Sequence, residues 1–315
     1  MPKSKSAKAK TQDTSHYFID GHSSRRGLLG VVAFPNRLRG TDTEFATFYT
    51  VNREDWSHEP FDFDGRSVTY SGPPGSGDWW VLGKRGEVAR VGDEITLEQV
   101  PLAGTGPDNY GYLNRIARVG DRLYVCGFRR QVCVRDLQAG GAWQRFDAGL
   151  LEPRSARGAS LEAIDGCADD CLYAVGSKGQ IWHFNGQGWR PCQSPTNADL
   201  HEVRCLAPDK VLAVGQRGTV LLGAGDTWNM VTDDDFDEDL WGVEMFGDDI
   251  FVAGYGGLGK VHPQGITPVD TGLGRTVLGY RLRARDGLLW SIGNDDILVF
   301  DGQAWREVIC PDNVP

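Results

Sequence analysis

Along most of the chain, short apolar runs end in glycine, a polar turn follows, and the run then returns at a near-constant interval. The runs are Trp79–Gly83, Leu123–Gly127, Leu172–Gly176, Val211–Gly215, Ile250–Gly254 and Leu289–Gly293, and their glycines are 44, 49, 39, 39 and 39 residues apart. Three identical steps mark an internal repeat of one supersecondary unit.

Other positions keep the same phase. Five residues after each glycine stand Val88, Val132, Ile181, Val220, Gly259 and Leu298, and only Gly259 breaks the apolar series. Trp143, Trp189, Trp228 and Trp305 fall 12 to 16 residues after their glycines, and Leu113, Leu161, Leu200, Leu240 and Leu278 precede theirs by 14 or 15. Each unit therefore predicts about four short strands, the content of a propeller blade. Such a unit has two apolar faces and buries both only by stacking radially against neighbours. Six units are explicit. The segment from His16 to Phe61, with apolar runs at Leu28–Phe34 and Phe45–Val51 and a late Trp56, predicts a divergent further blade.

The expected fold is thus an all-β single β-propeller of seven four-stranded blades, with six or eight left open. The blades should span roughly 16–61, 62–103, 104–151, 155–194, 198–233, 238–272 and 274–311, behind a disordered basic tail at 1–15.

Composition agrees. Of 315 residues, 42 are Gly and only 3 are Met, which suits tight turns better than a helical bundle. No apolar stretch is long enough to cross a membrane as a helix, and no apolar segment follows the basic start, so neither membrane insertion nor secretion is expected. The net charge is −10, and the tail at 1–13 contributes +3 against it. An acidic body disfavours nucleic acid as a partner. The seven cysteines, with no CxxC among them, read as reduced thiols of a cytoplasmic protein, with Cys167 and Cys171 the pair placed to bond if oxidised.

The pattern VGxxGxI…GxxW, clearest at Val175-Gly176-Ser177-Lys178-Gly179-Gln180-Ile181 and Gly186-Gln187-Gly188-Trp189, resembles the repeats of BNR-like propellers. Among these it is most similar to the photosystem II assembly and stability factor family. The resemblance covers about residues 75–310 and implies the fold, with binding of a client peptide or chain terminus as one reading. The sialidase Asp box is not matched at His183-Phe184-Asn185 or Phe300-Asp301, so sialidase chemistry is not implied.

Motifs that suggest catalysis dissolve on inspection. Gly254-Tyr255-Gly256-Gly257-Leu258-Gly259-Lys260 matches GxGxxG, but a strand end and turn follow where a phosphate-binding helix should begin. The six His show no metal-ligand spacing, so no cofactor or metal is expected. Asn114, Glu162, His201 and Trp241 occupy equivalent places near the channel mouth. They read as a mixed polar lining, with an acid/base pair of Glu162 and His201 as the contrasting enzyme or small-ligand reading.

Propeller topology puts the second-to-third-strand turns on the same face as the connections between blades. Those turns carry Lys84, Arg85, Arg129, Arg130, Lys178 and Arg217, then Tyr255. The connection before the sixth blade carries Asp233, Asp234, Asp235, Phe236, Asp237, Glu238 and Asp239. A basic arc thus faces an acidic sector with apolar anchors at Phe236, Trp241 and Tyr255, the makings of a protein interface. The expected function is non-enzymatic recognition of a partner protein through this top face. One version is a bacterial immunity-type protein neutralising a cognate toxin; the other is an assembly factor holding a client.

Overall fold

The computed structural model describes residues 13–73, 76–104, 109–138, 140–156, 158–231 and 237–314. Within them lie seven four-stranded antiparallel sheets, each a simple up-and-down meander from one contiguous stretch of chain. The inner strands are His16–Arg25, Gly65–Ser71, Leu113–Val119, Leu161–Ala168, Leu200–Ala207, Leu240–Phe246 and Arg281–Arg285 for blades 1 to 7. The repeat predicted from the glycine spacing is a seven-bladed all-β propeller. The tail at 1–12 and the residues Asp233, Asp234, Asp235 and Phe236 lie outside the described residues.

The apolar runs are explained by two-sided burial. In Cys171–Gly176, the second strand of blade 4, Leu172 and Ala174 pack towards blade 3 while Tyr173 and Val175 pack towards blade 5. The same alternation splits Leu123 and Val125 from Tyr124 and Cys126 in blade 3. Successive side chains of a strand point to opposite faces, so a strand covered on both sides must be apolar throughout. Each interface between neighbouring blades holds its own apolar cluster, seven in all among the described residues.

The repeating glycines are required by close approach. A Cβ on Gly176 or Gly215 would overlap the backbone carbonyl of Ser160 or Asp199, the residue leading into that blade's inner strand. The late tryptophans Trp143, Trp189, Trp228 and Trp305 are all buried in the interfaces.

Along the axis the side chains are charged. Arg115 of blade 3 reaches Asp20 of blade 1 at 3.2 Å and Glu202 of blade 5 at 2.9 Å. Arg281 and Arg283 of blade 7 approach the same two carboxylates at 3.3 to 3.7 Å. Because these blades lie around the ring, the ion pairs meet across the axis and span the channel. Burial opposes ionisation of Asp20, but Arg115, Arg283, Arg281 and the Ser67 hydroxyl outweigh it and hold the carboxyl down at about 2.

One sequence expectation fails. Cys167 bonds not to Cys171 but to Cys205 on the inner strand of blade 5, with Cα atoms 5.6 Å apart, so the thiols are not all reduced. Cys167 is the extra residue of a bulge between the pairs Gly166–Leu172 and Ala168–Cys171. It has no cross-strand partner and turns to the adjoining blade. Cys171 remains a thiol 4.0 Å from Cys167.

Candidate protein-binding face

Backbone hydrogen bonds define the top face. In blades 2 to 5 the second-to-third-strand turn is sewn to the segment leading into its own blade: Lys84 N to Asp64 O at 2.8 Å, Phe128 N to Tyr112 O at 2.8 Å, Ser177 N to Ser160 O at 3.0 Å, and Gln216 N to Asp199 O at 2.9 Å. Carboxylates from the next blade complete the stitch. Asp199 Oδ1 accepts the Lys178 amide at 2.6 Å and Asp239 Oδ1 accepts that of Arg217 at 3.1 Å. Asp239 is thereby engaged with the turn that carries Arg217.

The cations of these turns stand in unusual backbone. Arg129, Arg130, Lys178 and Arg217 have φ of 53°, 59°, 60° and 51°. A non-glycine residue in the left-handed region costs on the order of 1 kcal/mol. Long basic side chains occupy positions where glycine would relieve that cost, and strain of this kind concentrates at binding sites.

The arc is not uniformly free. Lys84 pairs with Asp64 at 2.7 Å, and Arg85 pairs with Glu44 at 2.7 Å. Arg129 donates to the carbonyls of Pro153 and Ala156, and Arg130 donates to Gln180 Oε1 at 2.8 Å while covering the Trp182 ring. Lys178 and Arg217 differ: both are exposed, and their side chains meet no carboxylate among the described residues. They form an exposed positive sector at blades 4 and 5.

Beside it lies an aromatic sector. Trp241 stacks on His201 with ring centres 3.8 Å apart and planes 5° from parallel, and Tyr280 and Tyr255 flank it at 5.3 and 6.1 Å. Tyr255 is 46% exposed, so the sector ends in an accessible aromatic. Asp237 and Glu238 are exposed next to it. Tyr17, pushed up to about 12 by burial and by the Tyr255 and Tyr280 hydroxyls, joins this sector to a cavity of about 640 Å³ bordered by Arg39, Glu44, Arg66 and Lys84.

The channel-mouth residues have structural partners. Asn114 Nδ2 donates to Ser160 Oγ and Leu161 O, both at 2.9 Å, tying blade 3 to blade 4. His201 Nδ1 bonds Leu240 O at 3.0 Å, tying blade 5 to blade 6, and burial lowers its pKa. Glu162 is half-buried and makes no ion pair among the described residues. The structure does not bring Glu162 and His201 into hydrogen-bond contact. Among the described residues, no group of His, Cys, Asp and Glu could hold a metal ion. Tyr255 and Gly256 form a strand-to-strand turn with the Glu238 carboxylate against Gly256, which leaves a phosphate neither room nor a helix terminus.

Sequence reading missed Tyr17, Arg39 and Tyr280. Tyr280 precedes Gly293 by 13 residues, as Trp241 precedes Gly254, and Arg39 lies in the blade 1 turn equivalent to Lys84-Arg85, but blade 1 carries no repeat glycine to set the phase.

No protein-family model matches the chain. Over 229 residues, 72% of this chain and 74% of the relative, it is 35% identical to Immune protein Tsi7 of Pseudomonas aeruginosa. The chain belongs to the Tsi7 immune-protein family. The fold-level resemblance read from the repeats also holds. YCF48 from Cyanidioschyzon merolae superposes with a TM-score of 0.65 at 14% identity, covering 92% of this chain and 96% of that one. A structure described as YCF48 bound to D1 peptide gives the same TM-score and identity over 90% and 91% of the two chains. The WD40 propeller domain of Doa1 matches at 0.65 and 9% identity over 90% and 92%. At these identities the solved structures share the fold alone.

Proposed function

We propose that this Tsi7-family protein is a non-enzymatic immunity protein that neutralises a cognate protein toxin by binding it with the top face. The observation that carries the reading is the 35% identity with an immune protein over most of both chains. The top face supports it with the exposed cations Lys178 and Arg217, the aromatic anchors Trp241 and Tyr255, and the acidic residues Asp237 and Glu238 side by side. Aromatic and arginine anchors next to charge of both signs give a surface that selects one partner and steers its approach. No described helix is long and apolar enough to cross a membrane. Action in the cytoplasm belongs to the same proposal.

The test is protection. Cells producing the cognate toxin should survive when the protein is co-produced and die without it. A purified protein that neither protects nor captures that toxin would remove the reading.

A further inference from the structure

We propose that the lower mouth of the channel, on the face opposite the partner surface, is a binding site for a phosphate-class oxyanion. The inner strands run from the top face downward, and their far ends surround a cavity of about 470 Å³. Its wall carries Arg118 of blade 3, Arg204 of blade 5 and Arg285 of blade 7, together with His22 and Ser24 of blade 1. Three guanidinium groups from alternate blades thus border one polar space, the donor type that best matches phosphate oxygens.

The carboxylate on that wall is already committed. Asp165 accepts the Cys205 amide at 2.9 Å and faces Arg204 at 3.4 Å. The other Arg204 contact is Glu244, at 2.9 Å. Arg118 Nε donates to Gly120 O at 3.0 Å, while the nearest carboxylates of Arg118 and Arg285, Asp121 and Asp286, stand off at 3.9 and 3.8 Å, beyond hydrogen-bond distance. Two polar groups at the cavity have no hydrogen-bond partner among the described residues: Arg204 Nε and the hydroxyl of Ser24, a residue only 3% exposed. Buried polar atoms normally find one, so an acceptor at this mouth would answer a local deficit. Burial, Arg283 and Arg204 together push His22 down to about 3, so its imidazole is neutral at pH 7 and adds no charge of its own.

The site is independent of the toxin-binding reading. Inorganic phosphate is titrated calorimetrically into the full chain at constant ionic strength, with chloride as the control anion. The wild type should bind phosphate, and the double variant Arg118→Gln/Arg285→Gln should bind about tenfold more weakly or not at all. Neither arginine belongs to the ion pairs that span the axis, and circular dichroism checks that the variant folds. A parallel titration with phosphoserine separates a free anion from one borne on a larger molecule: binding extends the site to phosphomonoesters, and exclusion restricts it to the free ion. No heat beyond the chloride control in the wild type, or equal binding by the variant, overturns the proposal.

Discussion

The Asn313 side chain brackets the backbone of His16, accepting its N–H at Oδ1 over 2.7 Å and donating from Nδ2 to its carbonyl over 3.0 Å. This pair imitates a strand ladder between the two ends of the chain. Each blade comes from one contiguous stretch, so no strand is exchanged between blades 1 and 7 to lock the ring. Closure rests on their apolar interface, on the Arg281 and Arg283 contacts to Asp20, on bonds from Phe18 N to Asn294 O and from Arg26 to Asp286, and on this clasp, where Asp312 also accepts the Tyr49 hydroxyl at 2.7 Å and Thr14 reaches Asp312 O.

Asn313→Ala should therefore lower stability by about 1–3 kcal/mol, because it removes two hydrogen bonds and leaves the His16 backbone groups without those partners. Urea denaturation of variant and wild type measures it. Midpoints that coincide would show that the ring closes without help from the Asn313 clasp.

The charges across the axis predict a larger effect. Glu202→Ala leaves Arg115, Arg281 and Arg283 with Asp20 as their shared carboxylate, and removing one member of a buried ion pair costs about 3–5 kcal/mol. Thermal unfolding of the variant should start well below that of the wild type.

Acid sensitivity should come in two stages. His22 has its folded pKa lowered from 6.5 to about 3, so the unfolded chain takes the proton first and stability falls as pH drops from about 6.5 towards 3. Asp20 is lowered from 3.8 to about 2, so its contribution, about 2 kcal/mol, is complete above pH 4 and is lost between pH 4 and 2. Replacing His22 by Asn should shrink the upper stage, to which His16, His183 and His201, also lowered by burial, contribute in the same sense, and leave the lower one. Denaturation midpoints at pH 7, 5 and 3 check both.

The Cys167–Cys205 bond closes a 38-residue separation and ties blade 4 to blade 5. Cys205→Ser should lower stability by about 2–4 kcal/mol in oxidising buffer and have a much smaller effect under reductant. Peptide mapping without reduction should recover the 167–205 link and not a 167–171 link.

The blades were legible because two-sided burial writes a continuous apolar run and close backbone approach demands glycine at a fixed phase, as at Gly176 and Gly215. The cations of the top turns were legible from topology, since the turn position follows from the strand order. Their pairing was not. Lys84 and Arg85 are neutralised by Glu44 and Asp64, which come from other turns, and only the folded ring brings them together. Cys205 escaped notice for the same reason, because a bulge aims Cys167 at a residue 38 positions away. The cluster of Asp20, Arg115, Glu202, Arg281 and Arg283 joins four blades, and no local pattern announces it.

The central claim is that the top face, through its exposed cations Lys178 and Arg217, holds the toxin. Its most direct test measures binding of the purified toxin by the wild type and by the Lys178→Glu/Arg217→Glu double variant. Both substituted side chains are exposed, so the propeller itself should be unaffected. The account predicts a loss of affinity of at least about 2 kcal/mol, roughly thirtyfold, together with loss of protection in cells. A folded variant that binds and protects as well as the wild type would contradict it.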